Sequence, residues 1–205
     1  LSPISQLKLR SLWDSLATKS EEYIYYRTDH HWTSRGAFYA YQDFLRSMEM
    51  IPLEEEDFIV SRVSDDFLGT SYRKANLYFG DPDKIHKYSP KEEVDYSILV
   101  NGQLELEDLY DQSYLEKTDK CSYFLGGDKA LIEISTSLKN GKSILVFKDS
   151  FANSFIPFLL NHYEKIILID SRYFNYSPLD LIEKEEIEDI LFLYNNIYLL
   201  LSIML

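Results

Sequence analysis

Apolar positions change their spacing along the chain. Leu7, Leu9, Leu12, Trp13 and Leu16 recur at near-helical intervals, which predicts a first helix over 5–18. Residues Tyr23–Arg27 are aromatic and alternate, so a short strand is expected there. Thr28–Trp32 reads as a turn. Thr33 and Ser34 can then cap a helix running through Met48, with Phe38, Tyr41, Phe44, Leu45 and Met48 on its apolar face. Residues 57–64 suit a strand. Residues 65–90 carry Gly69, Gly80, Pro82 and Pro90 among few periodic apolar positions, and loops are expected there. Asp95–Val100 and Leu104–Leu109 flank Asn101-Gly102, a hairpin signal. The stretch from about 57 to 120 is thus the expected site of a small β-rich subdomain.

The last third changes character. Short apolar runs at 143–147, 165–169 and 190–194 read as strands, separated by helical patterns over Phe151–Tyr163 and 179–188. The apolar tail Ile197–Leu205 is too short to cross a bilayer and reads as a buried terminal strand. Alternating strands and helices imply βαβ units and a mainly parallel sheet with helices on both faces. The length suits a single α/β domain over 1–205. There is no internal repeat.

Composition narrows the partners. Apolar residues make up 45%, ordinary for a globular chain. The formal net charge is −13, and an acidic surface repels phosphate backbones, so no nucleic-acid partner is expected. Cys121 is the single cysteine, which excludes an intramolecular disulfide and zinc sites built on paired cysteines. The 17 tyrosines suit contacts with sugars or proteins, although a compositional bias of the lineage accounts for them as simply. The first residue is Leu1 rather than Met, so a mature fragment lacking an N-terminal signal or anchor is expected.

Two segments carry chemistry. In Lys148-Asp149-Ser150-Phe151 a strand delivers Ser150 to the start of a helix. Ligands bind at the carboxyl ends of strands in open α/β sheets, and helix N-terminal amides can stabilise an oxyanion. By itself the tetrapeptide reads more simply as an N-cap. In Arg27-Thr28-Asp29-His30-His31-Trp32, His31 can serve as the base a serine needs, and Asp29 can fix its tautomer. Side chains two apart share one side of an extended stretch, with His30 turned away. A metal site on Asp29, His30 and His31, or a histidine pair packed beside Trp32, remain alternatives. His86 and His162 have no motif around them and read as structural; Cys121 reads as a small buried side chain.

The string Tyr26-Arg27-Thr28-Asp29-His30-His31-Trp32-Thr33 resembles the signature of the DHHW family. Lys148-Asp149-Ser150-Phe151-Ala152-Asn153-Ser154-Phe155 resembles that family's serine motif, and Phe124-Leu125-Gly126-Gly127 fits between them. The family is similar to the alginate O-acetylation proteins. The resemblance implies an SGNH-like, flavodoxin-like three-layer α/β/α fold with circularly permuted motif order. It implies a triad of Asp29 as acid, His31 as base and Ser150 as nucleophile. Gly127 is its candidate oxyanion glycine. Asp128 stands where an asparagine is half expected, and its carboxylate would repel an oxyanion. Asn153 and Asn195 are further oxyanion candidates. Arg27 could steer an acidic sugar or pair with a carboxylate, and Thr70–Arg73 could contact substrate or form a solvated loop.

The expected activity is serine-dependent acyl-ester chemistry, as an O-acetyltransferase or acetylesterase, without cofactor or metal. The resemblance implies an acetylated polysaccharide substrate, a membrane-bound acyl-donor protein as partner, and a bacterial extracellular or cell-envelope location. A non-catalytic glycan-binding or assembly module and a metal-dependent hydrolase are the competing readings.

Overall fold

The computed structural model describes residues 13–76 and 80–195. Of the first expected helix, Trp13–Ala17 (α1) lies within this range. Residues 5–12 and the apolar tail from 197 lie outside it. Tyr23–Arg27 forms no extended strand; Tyr25 makes an isolated antiparallel bridge with Trp32 instead. Helix α2, Ser34–Ser47, starts where the sequence places it, with the Thr33 hydroxyl accepting from Gly36 N. Phe38, Tyr41 and Leu45 are buried on its inner face.

Strands β1 (Phe58–Phe67) and β2 (Asp83–Pro90) pair antiparallel as a two-stranded sheet of their own. The segment expected to be loops thus contains β2 and the short helix α3, Thr70–Lys74. β2 was hidden in sequence because its buried positions, Asp83, Ile85 and Tyr88, include a carboxylate and follow no strict alternation. Of the β-rich stretch expected over 57–120, only β1 and β2 stand apart. Strands β3 (Tyr96–Val100) and β4 (Leu104–Leu106) extend the main sheet. Asn101 and Gly102 both take positive φ in their turn, which favours asparagine and glycine.

The remaining strands are β5 (Leu131–Thr136), β6 (Ser143–Lys148), β7 (Lys165–Ile169) and β8 (Asp189–Leu193). The six-stranded order is β4-β3-β5-β7-β6-β8. This corrects the expectation of a mainly parallel sheet. β6 runs parallel to β7 and β8, but β4, β3, β5 and β7 pair antiparallel in succession. The fold is mixed α/β. Parallel pairing is confined to the part of the chain where strands alternate with crossover segments.

Both faces of the central strands are covered. Ile144, Val146, Ile166 and Leu168 belong to the large core with α2, whereas Leu145, Ile167 and Ile169 pack with Leu181 and Ile182 on the other side. Leu181 and Ile182 come from α4, Pro178–Lys184. The helix expected over Phe151–Tyr163 is replaced by two 3₁₀ turns, Ser150–Ser154 and Ile156–Leu159. Pro157 has no N–H to continue an α-helical ladder from the first turn.

Candidate active site

β6 is buried along most of its length and ends at Lys148. The chain turns at Asp149 and opens the first 3₁₀ turn at Ser150. Asp149 performs the capping: its Oδ1 accepts from Phe151 N at 2.9 Å and its Oδ2 from Asn195 N at 2.8 Å. Ser150 is therefore not needed as the cap, and its hydroxyl is available. The first amides of a helical turn have no intrahelical acceptor, so the turn itself does not consume the Ser150 N–H.

The histidine arrives on an irregular loop anchored by a buried carboxylate. Asp83, on β2, accepts from Tyr23 Oη at 2.5 Å, Arg27 N at 3.1 Å, Thr28 N at 2.7 Å and Thr28 Oγ1 at 2.5 Å. The loop closes through Tyr26 N to His31 O and Thr33 N to Ile24 O. Sequence reading missed Asp83, which lies in the stretch 65–90 expected to be loops and carries no motif around it. Trp32 joins the two halves: its Nε1 donates to Phe151 O at 2.9 Å and to Ser154 Oγ at 3.0 Å.

These supports bring the three expected residues into line. His31 Nε2 lies 2.8 Å from Ser150 Oγ, and His31 Nδ1 lies 2.5 Å from Asp29 Oδ1. The Asp29 side chain is 2% exposed and that of His31 14%. Asp29 Oδ2 accepts from Thr70 N at 2.6 Å and Thr70 Oγ1 at 2.7 Å, and Oδ1 also accepts from His31 N. Burial pushes the Asp29 carboxyl up, but hydrogen bonds from His31 and Thr70 outweigh it and hold the group well below the usual carboxylate range. Gly69 is required by space: a Cβ there would lie 2.3 Å from Asp29 Cβ.

A cleft of about 200 Å³ opens over the serine. Its lining includes His31, Ser150, Gly127, Asp128, Asn153 and Thr70. Gly127 is at the cleft with φ +85°, but its N–H donates to Phe124 O at 3.2 Å in a turn. Asp128 is balanced by cations: Lys148 Nζ lies 3.0 Å from Oδ1 and Arg172 Nη2 2.7 Å from Oδ2. Burial raises the Asp128 carboxyl, yet Lys148, Asn153 and Arg172 keep it below its ordinary value. Its charge is thus paired, which offsets the repulsion that a bare carboxylate would impose on an oxyanion. Arg27 is exposed, stacks over the Tyr23 ring at 5.5 Å and is not part of the cleft lining. Of the segment Thr70–Arg73, Thr70 alone lines the cleft; Arg73 donates to Leu68 O and Thr118 O. Asn195 holds Asp149 through its backbone and does not line the cleft.

Asp29, His30 and His31 also bring donor atoms within 4.8 Å of one another. A metal there would compete with the observed contacts, since both His31 nitrogens face Asp29 and Ser150, and His30 Nδ1 lies 3.2 Å from Thr70 Oγ1. Cys121 lines the cleft, and burial raises its thiol well above its ordinary value, which suppresses thiolate chemistry. His162 packs in the core with Nε2 2.7 Å from Tyr41 Oη, and burial lowers it to about 4.

A mixed α/β frame thus brings a buried aspartate, a histidine and a strand-end serine into one hydrogen-bonded line. The DHHW protein family matches over residues 9–169, and the chain belongs to that family. A DHHW family protein from Eubacterium siraeum is 31% identical, with a TM-score of 0.76 over 88% of this chain and 62% of its own. Bacillus cereus PatB1 with a sulfonyl adduct is 22% identical, with a TM-score of 0.73 over 86% of this chain and 62% of its own. A second PatB1 structure gives 0.71 at 22% identity, over 86% of this chain and 64% of its own. The chain thus spans less than two thirds of each of these proteins. No curated protein sequence matches it.

Proposed function

We propose that this chain carries out serine-dependent acyl-ester chemistry on an acylated cell-surface or secreted polysaccharide, in an SGNH-like site with permuted motif order. The observation that carries the reading is the continuous hydrogen-bond path from Asp29 through His31 to Ser150. His31 Nε2 takes the Ser150 proton as Oγ bonds to the acyl carbon. The resulting oxyanion is met by the Ser150 amide and by Asn153. Collapse breaks the ester C–O bond, and the His31 imidazolium returns the proton to the leaving alcohol oxygen. The acyl group on Ser150 then passes to water or to a second sugar hydroxyl by the same steps in reverse. Asp29 holds the tautomer and offsets the charge on the imidazolium. A sulfonyl adduct on PatB1, which shares the fold, suits a site of this class, because sulfonyl reagents capture activated nucleophiles.

The glycan, a membrane-bound acyl-donor protein and a cell-envelope location follow from family resemblance and belong to the same proposal. The test is turnover of p-nitrophenyl acetate together with intact-mass labelling by a sulfonyl fluoride. Wild type is expected to turn over and gain one adduct, and Ser150→Ala to do neither. Equal turnover by the two proteins overturns the reading, and glycan binding without turnover would favour a binding module.

A further inference from the structure

Lys148 is 0% exposed at the end of β6, two residues before the serine, and the triad does not use it. A lysine is almost never fully buried without partners. Here Nζ lies 2.6 Å from Asn153 Oδ1 and 3.0 Å from Asp128 Oδ1. Asn153 Nδ2 in turn donates to Asp128 Oδ1 at 3.1 Å. The three side chains form a closed ring in which every contact has a sign. Flipping the Asn153 amide would set its NH₂ against an ammonium and its carbonyl against a carboxylate, two repulsions in place of two attractions. One orientation is therefore locked. Nδ2 carries two hydrogens, and Asp128 takes one. Asn153 lines the cleft beside Ser150, so the second is free to meet an oxyanion.

Resting on the acyl-ester reading, we propose that Lys148 is a positioning residue of this site. Together with Asp128, it clamps the Asn153 amide so that one N–H is held ready for the tetrahedral intermediate. Arg172 extends the clamp outward: its Nη2 lies 2.7 Å from Asp128 Oδ2 and 2.5 Å from Asp170 Oδ2, which keeps Asp128 in place. The arrangement supplies a preorganised donor, which stabilises developing charge without reorganisation during the reaction.

The test is a double-mutant cycle on p-nitrophenyl acetate turnover, with inhibition by phenylboronic acid as a tetrahedral probe. Asn153→Ala is expected to lower kcat on the order of 100-fold with little change in KM. Lys148→Met is expected to lower kcat about tenfold in wild type and hardly at all in the Asn153→Ala background, because it acts through that amide. Boronate affinity should follow kcat. Losses that multiply in the double variant overturn the clamp while leaving the triad standing. Turnover that is missing from wild type, or indifferent to Ser150→Ala, overturns the acyl-ester reading and the clamp with it. If Lys148→Met does not fold, Asp128→Ala takes its place: its loss should likewise vanish in the Asn153→Ala background, and an equal loss in both overturns the proposal.

Discussion

The two halves of the site are held by different forces. The serine segment follows a strand whose apolar side chains are buried on both faces of the sheet, and its turn is closed by Asp149 and two 3₁₀ helices. The histidine segment, 27–32, contains no regular element beyond one bridge, and its shape is set by polar groups converging on Asp83 and Asp29. Ser150, the proposed nucleophile, is thus placed by backbone pairing and apolar packing, which tolerate conservative change. His31, the proposed base, is placed by buried hydrogen bonds, where losing one partner strands another. Single polar substitutions should therefore damage the histidine side more than the serine side.

Asp29→Asn gives the largest effect on that side. The amide cannot hold the imidazole in the working tautomer, and kcat should fall about 10³–10⁴-fold with the fold intact by circular dichroism. The same carboxylate has a folded pKa depressed below its unfolded one. Its contribution to stability is present above about pH 4 and is lost only as pH falls below the ordinary carboxylate range. Denaturant titrations of wild type and Asp29→Asn should therefore converge in acid and separate above that window.

Asp83→Ala comes next. It leaves the Tyr23, Arg27 and Thr28 donors without their acceptor, and it should cost about 1–3 kcal/mol in denaturant unfolding. Turnover should drop although Asp83 makes no hydrogen bond to Asp29, His31 or Ser150. An unchanged kcat would show that the histidine loop holds its shape by other means. The smallest effect is expected for Trp32→Phe, which keeps the ring in place and removes the hydrogen bonds to Phe151 O and Ser154 Oγ. A loss of about 1 kcal/mol is expected, with a reduction in kcat no greater than about tenfold. A larger drop in kcat than in stability would mark this indole as the strut that sets the distance between base and nucleophile.

The sequence pointed to Asp29, His31 and Ser150 through the resemblance of two motifs to the DHHW family, since the tetrapeptide around Ser150 alone reads more simply as an N-cap; the structure places the three within hydrogen-bond distance. Asp83 was not legible, since it meets Thr28 across 55 positions and nothing near it in sequence announces the partner. Strand direction was equally hidden: nothing in the apolar runs of β6 and β7 tells how each pairs, yet β7 takes β5 antiparallel on one side and β6 parallel on the other. The buried run 143–147 predicted its strand correctly, while the helix after it failed because Pro157 interrupts the pattern. Asp128 reads from sequence as an unpaired charge beside the serine, and only the fold brings Lys148 and Arg172 against it.

His31 and Ser150 are separated by 119 positions. During synthesis the ribosome releases the imidazole long before the hydroxyl exists, and no short fragment can contain both. On the proposed function, reactivity toward an acylating reagent therefore requires the fold that brings the two segments together. Labelling of that one hydroxyl would then report that the folded arrangement has formed.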